Sequence, residues 1–312
     1  MDCGQNKAQN VGKRRLKADK MFLRERGRHM GWVEGIGEAV RCIEENISGE
    51  ITINDIAKRA LMSPFYFQKG FAMLCGMTVG EYIRQRRLTL AGSQLVSGGE
   101  KVIDIALQYG YDSPDSFTKA FTRFHGATPT AVRKGEAMVR SLAPLTIKLS
   151  LEGGYLMDYR ITEKEAFTLR GVSKVFRYDT AFDEIPGFWA EHIRSGEGRA
   201  VCGMYGVCLE GDKDAFEYLI ADDCDPRTDT PEGLVTKTIP GHTWAVFACR
   251  GALPNSLQEM NRRIFSQWLP GCKEYEIASG INIEMYSDPS GFPRGNQDEN
   301  YYSEIWIPVR KK

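Results

Sequence analysis

The chain has 312 residues, 42% hydrophobic and 26% charged, with 41 basic side chains against 41 acidic ones. That length holds two domains, and the composition is that of an ordinary globular protein, which excludes a fibrous or wholly disordered chain. No apolar run approaches the length of a membrane span, so no membrane partner is expected and a cytoplasmic location is.

The charge is unevenly spread. Residues 1–29 carry nine Lys and Arg against three Asp and Glu, residues 30–140 thirteen against twelve, and residues 141–312 nineteen against twenty-six. The first 29 residues are polar, aperiodic and without the apolar core of a secretory signal. They are expected to be a disordered basic tail, or to result from a start called too early; as a tail they are first of all an inert leader, with nonspecific phosphate affinity as the alternative.

An amphipathic pattern begins near Trp32, and between residues 51 and 132 one pattern then occurs twice. Asp55-Ile56-Ala57 recurs as Asp104-Ile105-Ala106, and Ser63-Pro64 as Ser113-Pro114. Phe67, Lys69, Phe71, Gly76 and Thr78 recur as Phe117, Lys119, Phe121, Gly126 and Thr128, at one constant offset from Ser63 onward. Units this short bury little core alone, so they are expected to work as a pair. In the first copy Ile53, Ile56, Ala57 and Ala60 have helical spacing, Leu61-Met62 turn, and Ser63 caps a second helix starting at Pro64. The second copy repeats this with Val102, Ile105, Ala106 and Tyr109, a turn at Gly110-Tyr111-Asp112, and Ser113-Pro114. Helix, short turn, helix is the helix-turn-helix unit, whose second helix enters the DNA major groove.

Between the copies, Glu81 to Val96 predicts one continuous helix ended by Ser97-Gly98-Gly99. A rigid helix there spaces the two reading helices, and one duplex turn of roughly 34 Å is the useful spacing. Phe67, Phe71, Phe117 and Phe121 are core in any helical bundle. A plain bundle does not explain the duplicated cap, turn and outward polar set. Glu34, Glu38, Glu44 and Glu45 are expected on a helix turned away from DNA.

Residues 32–135, and above all the run from Lys101 to Pro129, resemble the AraC/XylS family of transcription regulators. The resemblance implies an all-α domain over residues 30–136 that reads double-stranded DNA with two helices in successive major-groove segments. Carried over by position, the base-reading candidates are Phe65, Gln68 and Lys69 in the first reading helix, and Pro114, Asp115, Ser116 and Lys119 in the second. Relatives often carry an indole at the Phe65 position and arginine at those of Lys69 and Lys119. Lysine lacks arginine's planar fork to guanine, so the recognised sequence does not transfer. Two reading units in one chain remove the need for a dimer, so a monomer on DNA is expected, with RNA polymerase as a further partner.

After a linker at 137–154 the pattern changes. Residues 155–312 predict strands at Asp158–Arg160, Thr168–Phe176, Gly203–Leu209 and Phe216–Ala221, with a helix near Asp183–His192. The order recurs as strands at Leu234–Ile239 and Thr243–Arg250, a helix at Ser256–Trp268, and strands at Ile281–Tyr286 and Tyr302–Val309. This is an α+β domain of two strand–helix–strand–strand units around a central groove. Candidate effector-binding residues are Glu304, Trp306, Trp244, Trp189, Tyr205 and Tyr218. A carboxylate among aromatic rings favours a lipophilic cation. Strand alternation puts Glu304 and Trp306 on the side opposite Ile305 and Ile307; from pattern alone that side is equally a ligand groove or open solvent.

The ending Glu304-Ile305-Trp306-Ile307-Pro308-Val309 and the run from Ile239 to Phe247 resemble the GyrI-like effector-binding domain. There the acid at the Glu304 position faces a cavity, relatives bind diverse drugs and dyes, some hydrolyse reactive small molecules with a glutamate and a tyrosine, and some interact with DNA gyrase. The leading expectation is a DNA-binding transcription regulator that senses a lipophilic small molecule. The alternatives are a C-terminal hydrolase with Glu304 as general base, or a protein-docking module. No cofactor, metal site or catalytic residue is expected. The eight cysteines, at 3, 42, 75, 202, 208, 224, 249 and 272, show no zinc-site spacing and are expected to be reduced, buried apolar residues.

Overall fold

The structure, a computed structural model, describes residues 30–147, 157–178, 180–195, 201–211 and 215–312. The basic tail at 1–29 and the Glu152-Gly153-Gly154 part of the linker lie outside the described residues. The helical part runs α1 (Trp32–Glu45), α2 (Ile53–Arg59), α3 (Pro64–Cys75), α4 (Val79–Ser97), α5 (Val102–Gln108), α6 (Pro114–His125) and α7 (Pro129–Arg133). The duplicated caps form as expected: Ser63 Oγ accepts from the Tyr66 amide, and Ser113 Oγ from the Ser116 amide. Each reading helix ends at a left-handed glycine, Gly76 and Gly126.

Two apolar clusters hold this domain. Ile43, Ile56, Phe67, Phe71 and Tyr82 pack around the first unit, and Leu88, Leu95, Ile105, Phe117 and Phe121 around the second. Two acids of α1, Glu38 and Glu44, turn inward to arginines, while Glu34 and Glu45 stay exposed. Glu44 takes Arg86 at 2.7 Å, and Glu38 takes Arg41 at 2.7 Å and Arg59 at 3.4 Å. The described segment after α7 is tied along α4 and the end of α6. The Leu142 amide donates to Thr89 Oγ1, the Leu145 amide to the Tyr82 hydroxyl, and the Arg140 amide to His125 Nδ1.

The second part contains β1 (Tyr159–Lys164), β2 (Phe167–Arg177), α8 (Ala181–Ser195), β3 (Tyr205–Leu209), β4 (Ala215–Asp223), β5 (Val235–Ile239), β6 (His242–Arg250), α9 (Asn255–Arg263), β7 (Tyr275–Ile277), β8 (Asn282–Tyr286) and β9 (Tyr302–Lys311). α9 runs on through a π turn at Ile264–Trp268. The two strand–helix–strand–strand units are β2-α8-β3-β4 and β6-α9-β8-β9, meeting where β3 pairs β8. All strands are antiparallel neighbours in the order β1-β6-β9-β8-β3-β4-β2-β5, with β7 on β9.

One pairing has a large consequence. The strand that leads each unit joins the other unit: β1 pairs β6 and β5 pairs β2. In a flat sheet β1 and β2 would stand about 29 Å apart, at ~4.8 Å per strand. Yet Lys164 and Phe167 are three residues apart, a reach of about 11 Å at most. The sheet must therefore curl until its ends approach, and the Phe167 ring on β2 does lie 6.5 Å from the Trp306 ring on β9. Curling encloses the side of the sheet that carries no helix among the described residues. Leu169, Tyr205, Val207, Leu219, Trp244, Val246, Ile283 and Trp306 are buried there. The helices cover the other side, against Phe216, Tyr218, Ile220, Phe247, Ile305 and Ile307.

Candidate DNA-reading and effector-binding sites

The two reading helices share their caps and differ in exposure. On α6, Pro114, Asp115, Ser116 and Lys119 are all exposed, while Phe117 and Phe121 are fully buried. On α3 the corresponding surface is covered: Phe65, Gln68 and Lys69 are each less than 9% exposed. What covers them is the second domain. The Phe65 ring meets Phe216 of β4 at 5.5 Å, and Tyr66 meets Phe265 of the π turn at 6.3 Å. The Tyr66 hydroxyl donates to the Ile281 carbonyl at 2.7 Å. Lys69 Nζ donates to Asn282 Oδ1 at 2.9 Å and lies 4.0 Å from the Glu284 carboxylate. Gly70 permits this closeness, since a β-carbon there would come within 2.4 Å of the Trp32 ring and 3.0 Å of Phe265. An α-helix enters the major groove by presenting its own side chains to base edges, so α3 cannot read DNA while docked.

Around Glu304, alternation works as the pattern predicts. Ile305 and Ile307 face the helices, and Glu304 and Trp306 face the enclosed side, with Glu304 only 3% exposed. Each carboxylate oxygen receives two donors. Oε1 takes the Tyr302 hydroxyl and Arg160 Nη1 at 2.9 Å. Oε2 takes Arg160 Nη2 at 3.1 Å and the Trp306 indole N–H at 2.7 Å. Burial works to raise the Glu304 pKa, but the hydrogen bonds from Arg160, Tyr302 and Trp306 outweigh it and hold the carboxyl below its usual range. Nearby, Lys164 Nζ sits 4.4 Å over the Phe167 ring and 5.9 Å from that of Trp306. Trp244 is fully buried beside Trp306 at 5.9 Å, and its indole N–H has no partner among the described residues.

The six expected effector residues therefore divide. Glu304, Trp306, Trp244 and Tyr205 share the enclosed side. Trp189 and Tyr218 do not: they lie on the helix-covered side, where the Trp189 indole N–H donates to the Tyr218 hydroxyl at 2.9 Å. Tyr218 shares the parity of Phe216 and Ile220 on β4, which turns it away from Glu304. Sequence reasoning missed Arg160 and Lys164, whose alternate spacing on β1 puts both on the Glu304 side. A further bond links the two sites. Asn282, which holds Lys69, also donates through Nδ2 to the Trp306 carbonyl at 3.3 Å. The seven cysteines among the described residues are free, but only Cys42, Cys208 and Cys249 are buried as expected; Cys75, Cys224 and Cys272 are half-buried and Cys202 is exposed. No helix among the described residues is long and apolar enough to cross a membrane.

Two family profiles match this chain: a helix-turn-helix domain over residues 56–135, and an integron-associated effector binding protein over residues 160–309. The HTH-type transcriptional activator AarP of Providencia stuartii is 35% identical over 115 residues, covering 37% of this chain and 85% of that protein. The right origin-binding protein of Escherichia coli K12 is 24% identical over 283 residues, covering 86% of this chain and 96% of the relative. Among solved structures, SAV2435 bound to tetraphenylphosphonium shows 23% identity over 49% of this chain and 94% of its own, with a TM-score of 0.44.

Proposed function

Because the chain belongs to the AraC/XylS family of helix-turn-helix transcription regulators and carries a GyrI-like effector-binding domain, we propose that it is a small-molecule-responsive regulator whose effector domain withholds one of its two reading helices. The observation that carries this reading is the burial of Phe65, Gln68 and Lys69 of α3 against the effector domain, while α6 stands free. DNA is read by α6 alone in the docked form and by both helices once α3 is released. Phe65, Gln68 and Lys69 contact bases only in the released form; Pro114, Asp115, Ser116 and Lys119 do so in both.

The effector is a lipophilic small molecule, cationic in one version of this reading, that enters the aromatic side of the curled sheet. It meets Glu304, Trp306, Trp244 and Tyr205, and the unpaired Trp244 N–H offers it a donor. Asn282 joins the backbone of Trp306 to Lys69, so a shift of Trp306 on binding disturbs the hold on α3. A hydrolase fits this site less well. A general base needs a free lone pair and a pKa near the working pH. Glu304 has four donors on its two oxygens and a depressed pKa. The protein acts in the cytoplasm, as a monomer on DNA, with RNA polymerase as its further partner.

Hydroxyl-radical footprinting on an operator selected from random duplexes tests the reading. Without effector, protection covers one major-groove segment; with effector it extends to a second, about one helical turn away. Two protected segments in the absence of any effector would sink it.

A further inference from the structure

A carboxylate walled by aromatic rings attracts an organic cation, but here the chain supplies its own. Arg160 grips Glu304 with both guanidinium nitrogens, at 2.9 and 3.1 Å. Four residues on, Lys164 lies over Phe167 and Trp306. Both come from β1, an edge strand whose one neighbour among the described residues is β6. The two ends of the ion pair differ: the Glu304 side chain is 4% exposed and the Arg160 side chain 52%. The carboxylate is thus a fixed, enclosed group, and the guanidinium reaches it from a stem that stands in solvent.

We propose that Arg160 is an exchangeable internal counter-ion that sets the charge selectivity of the effector site. A cationic effector binds by displacing the Arg160 guanidinium from Glu304, whereas a neutral aromatic molecule meets no such competition. The proposal rests on the reading above that the Glu304 side of the sheet is the effector site. Physically, the guanidinium is a tethered competitor at high effective concentration. Displaced, it returns to water at little cost because its stem is already half exposed. Glu304 cannot leave, and a buried carboxylate without a cation is strongly unfavourable. Removing Arg160 therefore leaves a vacancy that only a cation or a proton fills. Lys164 adds a second, weaker competitor on the ring faces where an aryl cation would stack.

The test titrates the full-length chain by calorimetry with tetraphenylphosphonium and with triphenylphosphine oxide, an uncharged molecule of similar shape. Arg160→Gln is expected to bind the phosphonium at least about tenfold more tightly than the unaltered chain, and the oxide with little change. Lys164→Gln gives a smaller gain of the same sign, and Arg160→Gln combined with Glu304→Gln loses the gain. Arg160→Lys, which keeps the charge but not the two-pronged grip, falls between; it carries the test if Arg160→Gln fails to fold. If the oxide binds but phosphonium affinity is unchanged or weaker in Arg160→Gln, the counter-ion idea is overturned while the effector site stands. If neither compound binds either protein, the effector-site reading fails and takes this proposal with it.

Discussion

Releasing α3 should strengthen DNA binding, and the strength of its tether sets the size of the effect. Consider Asn282→Ala combined with Glu284→Ala. Both changes lie on β8 and leave every candidate DNA contact intact. In the docked form the Lys69 side chain is 7% exposed, and its ammonium relies on Asn282 Oδ1 at 2.9 Å and Glu284 at 4.0 Å. A hydrogen bond to a charged group contributes about 1.5–3 kcal/mol, and the buried charge left behind can recover water only by undocking. The docking equilibrium therefore shifts by roughly ten- to a hundredfold toward the released form. Apparent operator affinity scales with the fraction of chains able to read both segments, so it rises by up to that factor and saturates once most chains are released. Fluorescence anisotropy with a labelled operator measures it, with circular dichroism to show both domains folded. Within a Lys69→Met background the double change must give no gain, since the charge that drives undocking is already gone. Unchanged or weakened affinity in the folded double variant refutes the argument.

Acid should loosen the helical domain through His125. Its Nε2–H donates to the Leu88 carbonyl at 3.0 Å and its Nδ1 accepts from the Arg140 amide at 3.0 Å, so both ring nitrogens serve the neutral form. Burial lowers its pKa, so the unfolded chain binds the proton first, and stability is full above about pH 6.5 and falls as pH drops toward the folded value. Urea midpoints measured on either side of that range check this, and a midpoint indifferent to pH, or equally sensitive in His125→Leu, counts against it. Lys119→Ala should weaken operator binding by about 1–3 kcal/mol and relax preference at one base pair if the side chain reads a base; a uniform loss with a salt slope smaller by about 1 means a phosphate contact instead. Leu61, in the first turn, has φ of 55° and is 58% exposed. Leu61→Gly should therefore stabilise the domain by up to about 1 kcal/mol in chemical denaturation, and a loss of stability would show that its side chain matters more than its backbone.

Both duplications were legible because their signals are local. Ser63, Thr78 and Ser113 mark helix starts by chemistry that depends only on the next few residues. Strand pairing is not local. Nothing in the alternation of β1 distinguishes β6 from β2 as its neighbour, yet the choice of β6 curls the sheet and brings Arg160 to Glu304. β7, three residues long, is too short to show a period. The described part of the segment read as a linker, residues 137–147, is bound along α4 and the end of α6 through its own backbone amides, and amides leave no mark in a side-chain pattern.

For the effector site, parity separated Glu304 and Trp306 from Ile305 and Ile307, but it could not sort β4. That strand is apolar on both faces, Phe216, Tyr218 and Ile220 on one and Leu219 and Ala221 on the other, so Tyr218 carried no sign of its side. The reading helices hold a clearer signal. Aligned by their caps, α3 has Phe65, Tyr66 and Met73 where α6 has Asp115, Ser116 and Arg123. Polar side chains at those positions suit a surface that alternates between water and DNA. Two aromatic rings and a methionine there form a patch that water disfavours; a ring at the Phe65 position also suits a base-reading helix, so Tyr66 and Met73 are what set the first copy apart. Phe65 and Tyr66 bury it on Phe216 and Phe265, and Met73 packs at the edge of the same cluster. The departure of the first copy from the second is thus the mark of a helix packed on the second domain.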